Sequence, residues 1–132
     1  MKSVLVKDYM TREVISVSPD VEITAATESL IVHDISGAPV LDGHGRLVGI
    51  LTERDCMKVA LHAGYHDVPY GLVRDYMTPN PESVTPEQSV LTLAEKFIHG
   101  HFRRYPVVDN GRLVGIISRR DILRALSKHQ GM

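Results

Sequence analysis

The chain has 132 residues, 43% hydrophobic and 23% charged, which suits one globular domain able to bury a core of its own. Fifteen Lys and Arg residues stand against sixteen Asp and Glu, a formal charge of −1, so no overall field draws the chain to DNA or an anionic membrane, and any anion site must be local. A single cysteine, Cys56, excludes an internal disulfide framework and a four-thiolate metal site and fits a reducing compartment.

Residues 1–10 hold two lysines and an acid but no apolar stretch of signal-peptide length, and no apolar run approaches the roughly 18 residues of a spanning helix. The expected location is the cytoplasm, without membrane insertion. In chain order, a polar-apolar lead segment, Val6-Lys7-Asp8-Tyr9-Met10-Thr11, comes first. A short strand over 15–17 then stops at Ser18-Pro19, because proline lacks a donor and biases its predecessor away from helix. A helix over 21–33 follows, with Ile23, Ala26, Thr27, Leu30 and Ile31 at helical spacing. Strands over 38–41 and 47–51 flank Asp42-Gly43-His44-Gly45, residue types that tolerate a tight hairpin turn. A helix over 53–62 closes the set, and the connector 62–71, with Gly64, Pro69 and Gly71, reads as a loop.

The same order then returns. Val73-Arg74-Asp75-Tyr76-Met77-Thr78 repeats the lead segment at an offset of 67, as do Ser83-Val84-Thr85-Pro86 and Pro106-Val107-Val108-Asp109 for Ser16-Val17-Ser18-Pro19 and Pro39-Val40-Leu41-Asp42. One residue fewer in the second turn reduces the offset to 66, at which Gly111-Arg112-Leu113-Val114-Gly115-Ile116 matches Gly45-Arg46-Leu47-Val48-Gly49-Ile50 and Arg120-Asp121 matches Arg54-Asp55. The second copy therefore has a strand over 82–84, a helix over 88–100 with Val90, Leu93, Ala94, Phe97 and Ile98 on one face, strands over 105–108 and 113–117, and a helix over 119–128. The fold class is α/β (α+β): tandem β-α-β-β-α repeats, residues 1–66 and 67–132, paired by pseudo-two-fold symmetry into one module. A small sheet with helices on one side leaves apolar surface bare, and pairing two copies covers it.

These residues resemble the CBS domain family, named for cystathionine β-synthase, in the tandem form known as a Bateman module. The marks are the Asp-Tyr-Met-Thr leads, Pro-Val-Leu-Asp and Pro-Val-Val-Asp, Gly-Arg-Leu-Val-Gly-Ile, Thr52-Glu53-Arg54-Asp55 and Ser118-Arg119-Arg120-Asp121. The resemblance implies a non-catalytic regulatory module with two related clefts between its repeats, holding an adenosine compound of the AMP, ADP or ATP class. It also implies a homodimer formed through helices and an unnamed regulated protein as partner.

Thr52 with Asp55, and Ser118 with Asp121, each stand where a strand runs into a helix. A hydroxyl and N–H groups there suit phosphate, and an acid one turn in can accept from both hydroxyls of a ribose. The plainer reading is a helix cap, with Thr or Ser at the N-cap and Asp three residues on; both roles are compatible. The resemblance assigns the adenine pocket to the main chain of Gly37, Ala38 and Pro39 with Val14 and Ile15 in copy one, and of Arg104, Tyr105 and Pro106 with Pro81 and Glu82 in copy two; Ile35 and Phe102 are further candidate ligand-binding residues. Arg103 and Arg104, with Arg120, can hold a di- or triphosphate, or else form a solvated basic turn. Copy one has Ser36 and Gly37 there, so unequal clefts are expected. His99 and His101 lack a third ligand at fixed spacing, so no metal is expected. Cys56 reads as a small core residue, and Met10 and Met77 as packing residues. The competing functions are an interaction or dimerisation module with empty clefts and, least favoured, an enzyme, since no Walker loop, nucleophile elbow or zinc-hydrolase motif occurs.

Overall fold

A computed structural model describes residues 4–66 and 70–130, with only the backbone described at 63–66 and 130. After a 3-10 turn, Val6–Asp8, come helix α1 (Ile23–Val32), strands β1 (Gly37–Leu41) and β2 (Leu47–Thr52), and helices α2 (Glu53–His66) and α3 (Val73–Tyr76). Then follow β3 (Thr78–Pro79), α4 (Val90–His99), β4 (Arg104–Asp109), β5 (Arg112–Ser118) and α5 (Arg119–Gln130). The mixed α/β repeat expected from the sequence is present. Helix α2 runs on to His66, so the connector expected at 62–71 starts later, and its residues 67–69 lie outside the described residues.

The chain divides into two compact units, Ile15–Pro81 and a second made of Met1–Val14 with Glu82–Met132. These boundaries cross the sequence copies 1–66 and 67–132: the lead segment of each copy folds with the strands of the other.

In the unit Ile15–Pro81, β1 and β2 pair antiparallel from Gly37↔Thr52 to Leu41↔Leu47, with an irregularity between Val40 and Leu41. Their turn is fixed by Asp42, whose Oδ1 accepts from the backbone N–H of His44 at 2.8 Å and of Arg46 at 3.0 Å. Gly45 adopts φ +78°, which a side chain would strain. The second lead segment supplies β3, antiparallel to β2 through Gly49↔Pro79 and Ile50↔Thr78. The strand expected at 15–17 narrows to one parallel bridge, Val17↔Val40, before Pro19 ends it. Helix α1 starts at Ile23 rather than at 21, because Val21 carbonyl accepts from Val73 N–H at 2.9 Å and Ile23 N–H donates to Gly71 carbonyl at 3.0 Å. Val21 carbonyl is thereby engaged outside the helix, and Ile23 N–H, one of the first-turn donors that a helix leaves unpaired, finds its acceptor outside it too. Ile23, Ala26, Val40, Leu51, Val59 and Val73 form the core.

The other unit repeats this plan. Strands β4 and β5 pair from Arg104↔Ser118 to Asp109↔Arg112, and Val84↔Val107 is the lone parallel bridge standing where a strand over 82–84 was expected. The first lead segment docks on it: Thr11 and Ile116 exchange backbone hydrogen bonds of 2.8 and 2.9 Å, and Val90 N–H donates to Val4 carbonyl at 2.8 Å. Helix α4 is capped by Ser89, whose Oγ accepts from Leu91 N–H at 3.1 Å. Leu93, Val107 and Ile117 are fully buried in a core that also holds Met10, Val84, Phe97 and Tyr105. Burying one such aliphatic side chain stabilises the fold by about 1.5–3 kcal/mol.

Two helical positions differ from expectation. Ile31 and Ile98, assigned to the buried stripes, are 73% and 77% exposed. Each lies one residue, or about 100°, past the last buried position, Leu30 or Phe97, and so leaves the face turned to the sheet.

Candidate functional site at the strand-to-helix junctions

The end of β2 and the start of α2 meet at Thr52 and Asp55. Asp55 Oδ2 accepts from Thr52 N–H at 2.9 Å and from Thr52 Oγ1 at 3.0 Å, while Thr52 Oγ1 accepts from Asp55 N–H at 3.2 Å. The β5–α5 junction repeats the arrangement: Asp121 Oδ2 accepts from Ser118 N–H at 2.8 Å and Ser118 Oγ at 3.0 Å, and Ser118 Oγ accepts from Asp121 N–H at 3.2 Å. These are reciprocal capping boxes. Both carboxylates are nearly buried, at 3% and 6% exposure, and each is balanced one turn on by a cation. Lys58 Nζ lies 3.6 Å from Asp55 Oδ1, and Arg124 pairs with Asp121 Oδ1.

Strand pairing sets the other candidates beside these junctions. Gly37 is paired with Thr52 and Arg104 with Ser118, while Ala38 and Pro39, and Tyr105 and Pro106, occupy the next two rungs. A further bond ties each junction across: Glu53 N–H donates to Ser36 carbonyl at 2.9 Å, and Arg119 N–H to Arg103 carbonyl at 3.1 Å. Ile15 and Glu82 come in from the side, two residues before Val17 and Val84, whose N–H groups donate to Pro39 and Pro106 carbonyls at 3.0 and 2.9 Å. Ile35 N–H donates to Leu30 carbonyl at 3.0 Å as α1 ends. Val14 belongs to the unit that does not contain Ile15.

Tyr105 is 1% exposed, its ring 4.9 Å from that of Phe97 and 5.4 Å from that of Phe102, with Lys96 Nζ 5.0 Å above it. Its side chain is thus core, as is that of Ala38, its counterpart, at 2% exposure. What these two positions can offer a ligand is main chain. Burial, and then the charge and hydrogen bond of Glu82, raise the Tyr105 phenol above its ordinary 10.0. Lys96 Nζ also lies 3.7 Å from Glu82 Oε2. Arg103, Arg104 and Arg120 are exposed, as is Phe102.

Sequence reasoning did not single out Lys58, Arg124 or Lys96. The signal for the first two was present, a cation three residues after each capping acid, which a helix places on the same side. Among the described residues no group of three His, Cys, Asp or Glu side chains could hold a metal ion, and no helix is long and apolar enough to cross a membrane.

Comparison with known proteins adds to this geometry. The CBS domain profile matches residues 6–62 and 73–128. An uncharacterised 17.7 kDa protein of Acidianus ambivalens is 36% identical over 122 residues, 92% of this chain and 72% of its own length. The chain spans only 42% of another curated relative, from Methanocaldococcus jannaschii. The structure of CBSX2 of Arabidopsis thaliana in complex with AMP is similar with a TM-score of 0.83 and 30% identity, over 96% of this chain and 98% of that one. The CBS domain pair of protein MJ0100, solved with 5′-methylthioadenosine and S-adenosyl-L-methionine, gives 0.76 and 31% identity over the same shares of the two chains. The chain belongs to the CBS domain family, and its two matched repeats make it a CBS pair.

Proposed function

We propose that this CBS pair binds an adenine nucleotide of the AMP, ADP or ATP class and, without chemical turnover, uses its occupancy to modulate a partner protein. The observation that carries the reading is the duplicated junction. In each unit a hydroxyl, a nearly buried acid and the first turn of a helix stand beside the strand rung formed by Gly37 and Thr52 or by Arg104 and Ser118. The helix start favours a phosphate, and the carboxylate favours ribose hydroxyls. The AMP bound by CBSX2 and the adenosine compounds bound by the MJ0100 pair support an adenosine ligand here.

In this reading the sites comprise Ile15, Ile35, Gly37, Ala38, Pro39, Thr52 and Asp55 in one unit. In the other they comprise Val14, Glu82, Phe102 to Pro106, Ser118, Arg120 and Asp121. The setting is the cytoplasm, and the working form is a homodimer. Ile31, Val32, Met57 and Leu61 on α1 and α2 are 63–73% exposed, a supply of apolar surface that a second copy would cover. That same surface is what favours the second reading, an interaction module whose sites stay empty.

A thermal-melt panel of AMP, ADP, ATP and S-adenosylmethionine decides between them. A ligand at about 100 times its dissociation constant adds about 2.7 kcal/mol, a rise of several degrees. A shift with an adenine nucleotide that shrinks in Asp121→Asn or Asp55→Asn supports the proposal. No shift with any compound transfers the case to the interaction module. Steady conversion of the nucleotide, lost in either variant, would establish an enzyme instead.

A further inference from the structure

One of the two compact units is discontinuous in sequence: Met1–Val14 completes a body built from Glu82–Met132, whereas Ile15–Pro81 is a single stretch. The join is dense. Val6 and Lys7 N–H groups donate to Gln88 and Pro86 carbonyls at 2.9 and 3.0 Å, and Val90 N–H donates to Val4 carbonyl at 2.8 Å. Thr11 and Ile116 exchange two backbone bonds. Val4, Val6 and Met10 are buried in the core of this unit. At the rim, Lys7 Nζ lies 3.3 Å from Glu87 Oε1 and Tyr9 hydroxyl lies 2.7 Å from His129 Nε2, partners 80 and 120 positions apart in sequence.

The tether of this segment is slight by comparison. Among the described residues, no backbone–backbone hydrogen bond involves residues 12–16, and Arg12, Glu13, Ile15 and Ser16 are exposed. The Arg12 side chain donates to Lys7 carbonyl, within the segment itself. The second lead segment offers a contrast. Val73 and Arg74 make the matching bonds to Val21 and Pro19 carbonyls, but residues 73–79 are continuous at both ends with the unit they join.

A terminal segment with its own bonding surface, on a hinge that makes no main-chain bonds, fits the matching surface of any copy equally well, because the same contacts form in either case. Closure within one chain spans 80 residues or more, and its loop entropy competes with the concentration of other copies. The continuous unit Ile15–Pro81 has all its partners before residues 82–132 have folded, and the lead segment has none until then. We infer that residues 4–11 are exchangeable: during folding at high concentration they seat on the Glu82–Met132 body of a second copy, and two chains trade segments to form a dimer. This route to a homodimer goes beyond nucleotide binding and uses none of the exposed helix faces.

In the experiment, ordinary and isotopically heavy full-length chains are mixed, unfolded in urea, refolded at low and high concentration, and separated by size. A carbodiimide then converts the Lys7–Glu87 and Lys96–Glu82 ion pairs to amides, and the masses of the linked peptides are measured. In the dimer, about half of the Lys7–Glu87 links should join a light peptide to a heavy one, the proportion that random exchange gives. The Lys96–Glu82 links lie within Glu82–Met132 and should never be mixed. The dimer fraction should rise with refolding concentration, and a synthetic peptide of residues 1–14, in excess during refolding, should abolish the dimer by taking its seat. A dimer whose Lys7–Glu87 links are all of one isotope overturns the inference and leaves a dimer through helix faces standing. Refolding to monomer at every concentration overturns it together with the homodimer. Where the carbodiimide links too few chains to measure, the peptide decides: a dimer that forms undiminished in its presence overturns the inference.

Discussion

Met10 rests on Gly115 so closely that a Cβ on the glycine would lie 2.8 Å from Met10 Sδ and 2.8 Å from Thr11 carbonyl oxygen. Met77 and Gly49 repeat the relationship, with 2.6 Å to Met77 Sδ and 3.0 Å to Thr78 carbonyl oxygen. Each lead segment is thereby seated on the middle of a strand that only glycine leaves open. The methionine thioether is adaptable, but the carbonyl is backbone held in the strand bridge.

Gly115→Ala and Gly49→Ala should each therefore destabilise the chain by about 1–3 kcal/mol, the usual cost of overpacking. Trimming the thioether should not restore Gly115→Ala, because Thr11 carbonyl remains in the way. Urea midpoints of Gly115→Ala and Met10→Ala/Gly115→Ala would check this, and a double variant more stable than the single one would show that sulfur alone makes the contact.

Asp121→Ala should destabilise more than Asp121→Asn. Alanine leaves Ser118 N–H and Oγ without their acceptor at a site 6% exposed, whereas asparagine keeps one acceptor oxygen. Loss of a helix cap costs about 0.5–2 kcal/mol, so the alanine variant should fall in that range. Asp55→Ala should match it, since the bonds to Thr52 are nearly the same lengths. Denaturant unfolding of the four single variants measures both comparisons. Equal losses for Ala and Asn would point to the charge, through Arg124 and Lys58, as the larger contribution.

The capping boxes and the Asp42 turn were legible in the sequence because their partners lie three or four residues apart. The duplication was legible because identical motifs return at a fixed offset. Which strand each lead segment joins was not, since Met10 would read the same whether it met Gly49 or Gly115. The backbone bonds between Thr11 and Ile116 settle the matter. The strands expected at 15–17 and 82–84 shrink to single bridges because a proline after a short stretch marks where extended chain stops, not how many ladder bonds it makes before that. The meeting of Arg103 with Arg119 was hidden for a related reason: it depends on register between two strands, which residue types alone do not fix.

Alkaline stability should depend on Tyr105. Burial first and Glu82 second hold its phenol above 10.0, so as pH rises the unfolded chain loses the proton before the folded one does. The folded state then binds more protons than the unfolded state, and stability, intact below that value, falls as pH climbs through the folded pKa. Tyr105→Phe should lose less stability than the wild type between about pH 9 and pH 11, where an ordinary tyrosine titrates. Urea midpoints across that interval provide the measurement. Parallel pH curves for the two proteins would remove Tyr105 as the group responsible.

Self-association through the outer helix faces is the remaining prediction. Ile31 and Leu61 are 73% and 63% exposed, on α1 and α2 of one unit, and neither belongs to the core of that unit. Replacing both with glutamate should leave the folding free energy of the monomer within about 0.5 kcal/mol per site, as is usual for surface positions. In a homodimer that covers these residues, the same change buries two charges without partners and should shift sedimentation from dimer to monomer. A glutamate variant that still sediments as a dimer would move the interface to another face, such as the one carrying Ile98 and Leu123, which are 77% and 59% exposed. A wild-type chain that is monomeric throughout would dispose of the homodimer.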